Sequence, residues 1–416
     1  MYLRLNNLTF FVKGNQSILY NIHNKNIIIL DEISRLFIEH CENNYLVENF
    51  PSYAFLRNQI VEFISEMQNL DMVILTKEKI HIEKYRYRSP VEGIGFLAPP
   101  PVINSVYIQM NQSCDKSCEF CGNKNYKIWM GCESCIDVSE KQHEISLPPI
   151  VEFINKARPR EVIIRGGNPF KDREKLRLLF DRISCNIGIA VSIDIVEKDN
   201  ISYLKEIYGG RIFFNMIFIN DEDLSKEQEY LLEYLRESQI PYYITLYANC
   251  RNKIHILQKK DIIEKQFNVS VAICEILDTR KDEQVLHITN EEKPVFMYQD
   301  ARVFFDRQSN NSCLNGKVAI DICGNILPCP MINVPIGNIY NQSYEEIIGN
   351  GKLFDFWKLT KEKIEHCKNC GMRFHCSDCS VFEMFTDPDK WCPHNKNKSL
   401  MDIDFKNSNI SKSIFI

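Results

Sequence analysis

The sequence predicts an α/β fold: a six-strand parallel sheet behind a small mixed domain and ahead of a cysteine-rich region. Three observations carry this. Strand-like and helix-like segments alternate from residue 104 to about 280. Ala98-Pro-Pro-Pro101 stands before that stretch, and a proline run continues neither a helix nor a central strand. Seventeen cysteines among 416 residues gather mainly in short-spaced groups.

The elements follow in order. Residues 1–95 form the first domain. Leu3–Val12, Ser17–Ile22 and Asn26–Leu30 read as strands. Asp31 can cap a helix running to about Cys41, with Ile33, Leu36 and Phe37 on one face. A second helix covers Ala54–Met67, where Leu56, Ile60, Phe63, Ile64 and Met67 recur at helical spacing. Met72–Thr76 and Ile80–Glu83 then predict a hairpin, which completes a small winged-helix pattern. Residues 102–300 supply the strands Asn104–Gln109, Glu161–Arg165, Gly188–Ile195, Arg211–Phe218, Tyr242–Tyr247 and Val269–Ile276. Helices between them include Pro149–Ala157, Asp172–Ile183 and Lys226–Ser238. Residues 301–395 form a cysteine-rich domain, and the polar 396–416 reads as a loosely held tail.

Composition narrows the function classes. Hydrophobic content of 44% and charged content of 25% are those of a globular domain. Net charge is −5 with no basic stripe, so no nucleic-acid partner is expected. No apolar run reaches the roughly 18 residues of a membrane span. The start, Met1-Tyr-Leu-Arg-Leu, lacks the basic and apolar segments of a signal peptide. Clustered cysteines without a signal point to metal or cluster ligation in a reducing cytoplasm, not to disulfides.

The most informative motif is Cys114-Asp-Lys-Ser-Cys118-Glu-Phe-Cys121. Three thiolates this close can hold three irons of a [4Fe–4S] cluster and leave the fourth open to a ligand. A zinc site is the alternative, but zinc knuckles pair cysteines and place a fourth ligand nearby. The strand at 161–165 ends in Arg165-Gly166-Gly167-Asn168-Pro169, a turn whose glycines permit close ligand approach. Further on, Cys313 is followed by Gly324 and Cys329, then Cys367-Lys-Asn-Cys370, Cys376, Cys379 and Cys392. Cys132-Glu-Ser-Cys135 could ligate metal, form a redox pair or approach a substrate. Cys41, Cys185, Cys250 and Cys274 stand alone and read as buried fillers.

The triplet, with Phe120 before its last cysteine, resembles the radical S-adenosylmethionine (SAM) superfamily. The ordered cysteines from Cys313 to Cys392, with Ile336-Gly-Asn-Ile339, resemble the SPASM extension of its peptide maturases. Residues 1–95 resemble a PqqD-like peptide-recognition domain. The resemblance implies a partial (β/α)6 barrel open on one side, SAM on the triplet's cluster, and a carbon radical drawn from SAM. It implies two auxiliary [4Fe–4S] clusters, one on Cys313, Cys329 and Cys379, the other on Cys367, Cys370, Cys376 and Cys392. The first lacks an obvious fourth ligand. Cys323 is a candidate, or the site is open to a substrate thiolate. Two residues, not the usual three, separate Cys376 from Cys379. Phe120, Gly166, Gly167, Asn168, Ser192 and Asn215 are the implied SAM contacts, with Asn168 where the family usually has glutamate. The implied partners are a precursor peptide with a leader and a reduced flavodoxin or ferredoxin-type donor. The implied reaction is an intramolecular crosslink, thioether or carbon–carbon, in a ribosomally made peptide. A formylglycine-forming, sulfatase-maturase-like enzyme and a non-catalytic iron–sulfur protein are the rival readings.

Overall fold

The computed structural model describes residues 1–86, 102–110, 114, 118–121, 123, 125–135, 145–219, 222–249, 251–281, 301–376, 379–385, 392 and 410–412. The proline linker, Cys250 and most of the expected tail lie outside these residues.

The first domain contains β1 (Tyr2–Leu5), β2 (Thr9–Val12), β3 (Ile18–Asn21), β4 (Ile27–Ile29), α1 (Glu32–Glu42), α2 (Tyr53–Asn69) and β5 (Val73–Thr76). The expected strand Leu3–Val12 is two strands. Asn6 breaks it, its side-chain oxygen accepting from Leu8 N at 3.0 Å in a local turn. Asp31 caps α1 as expected, accepting from Ser34 N at 2.7 Å. Phe37 faces the core as expected, but Leu36 points to solvent, and Ser34, Ile38 and Cys41 complete the buried face. The expected hairpin does not form. β5 pairs antiparallel with β1, Tyr2 opposite Thr76. Residues 80–86 are held by side chains, with Arg4 Nε donating to Ile80 O at 3.1 Å and Lys84 Nζ to three carbonyls at 2.9–3.2 Å.

β2, β3 and β4 form an antiparallel sheet. A strand from the far end of the chain, Ile410–Lys412, joins it parallel to β4. At these residues the tail expected to be loose is paired backbone.

The next region contains β6 (Ser105–Gln109), β7 (Tyr126–Trp129), α3 (Leu147–Ala157), β8 (Glu161–Arg165), α4 (Arg173–Arg182), β9 (Asn186–Ser192) and α5 (Lys198–Tyr208). It continues with β10 (Ile212–Phe218), α6 (Lys226–Glu237), β11 (Tyr242–Ala248), α7 (Lys253–Phe267) and β12 (Val271–Asp278). Strands β6, β8, β9, β10, β11 and β12 are parallel neighbours in chain order. Their near-continuous apolar runs, such as Val162-Ile-Ile164, are those of strands covered on both faces. The end strands β6 and β12 do not pair with each other, so the sheet is open. β7 adds antiparallel to β12, and β13 (Lys317–Ile320) adds parallel to β6.

The C-terminal region contains α8 (Ala301–Ser309), β13, β14 (Asn325–Leu327), β15 (Gly337–Asn338), α9 (Tyr344–Gly349), α10 (Lys352–Trp357) and α11 (Ser380–Phe385). Gly351, whose φ of 76° is left-handed, separates α9 from α10. This region shares a core with the barrel through Val318, Ile320, Ile326 and Trp357. It shares another with the first domain, where Val12, Ile18 and Tyr20 meet Phe304, Met372 and Phe374. The approach is close. Asn15 N donates to Asn369 O at 2.6 Å, and a Cβ on Gly371 would strike the Gln16 carbonyl.

Phe304 is the hub of this joint. Its ring centroid lies 5.2 Å from Phe10, 5.1 Å from Tyr20 and 5.6 Å from Phe374. Phe304→Ala is expected to cost about 3–5 kcal/mol, read as a lowered midpoint in denaturant unfolding. A loss under about 1 kcal/mol, the size of a surface change, would contradict the joint.

Candidate metal centres

The cysteine triplet, the Gly166–Asn168 turn and Ser192 follow or end the parallel strands β6, β8 and β9, the edge at which barrel active sites are built. Cys114, Cys118 and Cys121 follow β6. Cys121 N donates to Cys118 O at 3.2 Å, folding the pair into a turn. The Cys121 side chain holds the Cys118 thiol down to about 6, against burial, and the amides of Phe120 and Cys121 assist. Cys114 and Cys121 are exposed, so a ligand can reach them. Phe120 packs edge-on against Tyr126, with centroids 5.0 Å apart.

The turn after β8 has Gly166 and Gly167 at φ of 77° and 60°, backbone that glycine adopts without strain. Asn168 caps the following short turn, accepting from Phe170 N at 3.0 Å. Ser192 donates to Asp194 at 3.5 Å. Asn215 is committed at both ends of its amide. Its Nδ2 donates to Glu133 O at 3.1 Å, and its Oδ1 accepts from Thr245 at 2.8 Å.

The sequence left Cys132 and Cys135 open among metal ligation, a redox pair and contact with a substrate. The structure wraps the segment 130–135 across the strand ends. Met130 sits at φ 59°, a left-handed conformation uncommon outside glycine. This turns the chain out of β7 and into the barrel mouth. Met130 N donates to Cys379 Sγ, and Met130 O accepts from the Cys274 thiol, both at 3.5 Å. Arg165, buried at the end of β8, donates to Ser134 O at 3.0 Å. The Ser134 and Tyr247 hydroxyls bond to each other.

The two cysteines of this segment face different ways. Cys135 is buried and neighbours Cys114, Cys118 and Arg165; burial pushes its thiol up to about 12. Cys132 meets the C-terminal region. Its side chain meets those of Cys313 and Cys329, and these two contacts hold Cys132 well below the ordinary thiol range. Lys317 Nζ also donates to Cys132 Sγ at 3.5 Å. Glu133, between them in sequence, is pushed up to about 7 by burial, then by Cys132 and Glu161.

Cys379, despite its shortened spacing, reaches the same place. It raises the Cys313 pKa from beside it, and its sulfur takes the Met130 N–H. Buried Asn311 ties the pieces together, accepting from Cys313 N at 2.9 Å and donating to Ser380 Oγ at 3.0 Å. Met331 N donates to Cys329 Sγ at 3.5 Å. Cys323, the fourth-ligand candidate from sequence, lies instead in the turn between β13 and β14, near Tyr340.

A second thiol group forms on the turns from Cys367 to Cys376. Cys370 N donates to Cys367 O and Cys376 N to Met372 O, both at 2.9 Å. Cys367 neighbours Cys370 and Cys392, and burial pushes its thiol up to about 12. Buried Arg307 donates to Cys376 O at 2.6 Å, fixing that cysteine's backbone. The buried Lys361–Glu383 ion pair stands beside this group.

Among the described residues, no three His, Cys, Asp or Glu are arranged as the shell of a single metal ion. The thiols of the first group contact one another and the Met130 backbone. The donor set fits an iron–sulfur cluster: thiols only, with N–H groups on two sulfurs and an ammonium to offset charge.

This places an open α/β sheet in contact with two cysteine-rich sites. Residues 312–371 match the family model of the SPASM iron–sulfur cluster-binding domain. That match covers the Cys313 to Cys370 stretch, and the protein is an iron–sulfur protein there. No curated protein sequence matches the chain. Among solved structures, SuiB of Streptococcus suis bound to precursor peptide SuiA is 16% identical with a TM-score of 0.40, covering 92% of this chain and 97% of that one. The anSMEcpe structure with bound AdoMet is 16% identical with a TM-score of 0.45, covering 65% and 84%. BtrN in complex with AdoMet and 2-DOIA is 16% identical with a TM-score of 0.31, covering 67% and 94%. Among the described residues, no helix is long and apolar enough to cross a membrane.

Proposed function

We propose that this protein is a radical SAM/SPASM maturase that crosslinks a ribosomally made peptide. The observation that carries the reading is the segment Gly131–Cys135. It joins the triplet beside β6 to the thiol group of the matched SPASM domain.

In this reading Cys114, Cys118 and Cys121 hold the cluster that binds SAM. Bound there, SAM and the cluster supply a carbon radical able to take hydrogen from an unactivated carbon. The chain's own residues do the rest. Gly166 and Gly167 open the backbone to the cofactor's polar end. Asn168 keeps an uncharged acceptor where a carboxylate would bring charge. Phe120, against Tyr126, covers the adenine side. Asn215, Arg165 and Tyr247 hold the 130–135 segment in place, which excludes water from the mouth.

The open sheet leaves room for a chain to enter. The small sheet of the first domain would take the leader by strand addition. At β4 a peptide must displace Ile410–Lys412, and β2 is the other edge. A reduced flavodoxin or ferredoxin-type protein would supply the electron. The sulfatase-maturase reading needs no leader domain, but deleting residues 1–95 is a poor discriminator. It would uncover the core around Phe304.

The test is anaerobic reconstitution with SAM and dithionite, then mass spectrometry of a co-expressed precursor encoded beside the gene. The reading expects 5′-deoxyadenosine and a peptide lighter by two hydrogens. Release of no 5′-deoxyadenosine overturns it.

A further inference from the structure

The SPASM thiol group has three cysteines from its own region, Cys313, Cys329 and Cys379. We propose that Cys132, from the barrel, is the fourth ligand of that cluster and closes it to substrate thiolates. The proposal rests on the reading of this group as an auxiliary cluster site.

The geometry is independent of spacing. Cys132 lies 181 or more residues before its partners, yet its side chain is in contact with those of both Cys313 and Cys329. Lys317 points its ammonium at the Cys132 sulfur. Cys379 is anchored on the Met130 amide, two residues from Cys132. The other nearby thiols are differently engaged. Cys274 donates to Met130 O, and Cys323 sits in a hairpin turn beside Tyr340. The left-handed Met130 and the glycine after it have a role here. A Cβ at Gly131 would fall 2.6 Å from an Ile128 methyl. The tight turn is what brings Cys132 inward.

Two consequences follow. With four protein thiolates the cluster has no free iron, so a substrate cysteine cannot bind it without displacing Cys132. Cys132 and Cys135 are three peptide steps apart, at most roughly 11 Å between Cα atoms. One end of this short segment is at the SPASM thiols and the other beside the SAM triplet. The auxiliary centre is therefore placed to exchange electrons with the SAM site and not to hold substrate.

The experiment uses the full chain with Cys114, Cys118 and Cys121 replaced by alanine, so that only auxiliary clusters remain. About eight irons per chain are expected after reconstitution. In that background Cys132→Ala is expected to lose about one iron on oxidation and give the EPR signal of a three-iron cluster. Added 2-mercaptoethanol is expected to change the spectrum of the Cys132→Ala protein and leave its Cys132-containing parent unchanged. Cys132→Ser, which offers an oxygen ligand, is expected to keep the iron and shift the spectrum. Retention of the second auxiliary cluster in both variants reports that the domain is folded. Cys274→Ala and Cys323→Ala are expected to match the parent. An unchanged Cys132→Ala spectrum, iron loss in Cys274→Ala or Cys323→Ala instead, or thiol binding by the parent overturns the assignment alone. A parent with almost no iron overturns both the assignment and the cluster reading beneath it.

Discussion

Replacing Cys118 by alanine is expected to abolish reductive SAM cleavage. Cys118 is the central thiol of the triplet. Its thiol meets Cys121, and amide donors hold its thiolate form ready at neutral pH. Alanine removes one of three sulfurs, and among the described residues the neighbouring thiol, Cys135, is buried, with its pKa pushed up to about 12. Losing an outer-shell partner of a metal site typically costs roughly 10–100-fold in affinity or activity. Losing a direct ligand is expected to exceed that, taking 5′-deoxyadenosine below detection by chromatography. The substitution is small, so the protein is expected to fold and keep its auxiliary iron. Cleavage within tenfold of the parent would place the SAM site elsewhere.

The second large effect belongs to Cys379. Its sulfur sits at the meeting of the barrel segment and the SPASM domain, 3.5 Å from Met130 N. Cys379→Ala is expected to leave part of the SAM cleavage intact, because the triplet is built on separate residues. Crosslinked product is expected to fall by more than about 100-fold, the loss of a direct ligand again exceeding the usual outer-shell cost. The paired readout is 5′-deoxyadenosine by chromatography and peptide by mass spectrometry in one reaction. Full product from Cys379→Ala would remove the auxiliary centre from the reaction. Loss of both readouts together would show instead that Cys379 holds the mouth in shape.

Much of the barrel is legible in sequence because parallel strands buried on both faces read as apolar runs. Glu161–Arg165 is found at its expected ends, and β9, expected from Gly188, begins at Asn186. β7 carries no such signal. It is four residues at a sheet edge, and its Tyr-Lys-Ile-Trp alternates no pattern long enough to read. The first domain's hairpin was misread because strand pairing is non-local: β5 has the right composition, but its partner is β1, some seventy residues earlier. The joint between first and last regions is illegible for the same reason, since nothing in Tyr20 announces Phe304.

The site divides along the same line. The triplet and the Cys367 to Cys379 run are local spacings, and local spacing can be read. The company of Cys132 cannot. The sequence offered Cys323, just before Gly324, as a fourth ligand, or else an open site. Tertiary structure puts Cys323 in a turn and brings a barrel cysteine to the thiols. A loop cysteine two residues past a left-handed non-glycine residue is a signal visible only once the backbone is known.

The most direct test of the account is the iron content of the whole protein, purified and reconstituted without oxygen, together with its Mössbauer spectrum. Three [4Fe–4S] centres predict about twelve irons per chain, with one iron site perturbed when SAM is added. About four irons per chain, or a spectrum that SAM leaves untouched, would contradict it.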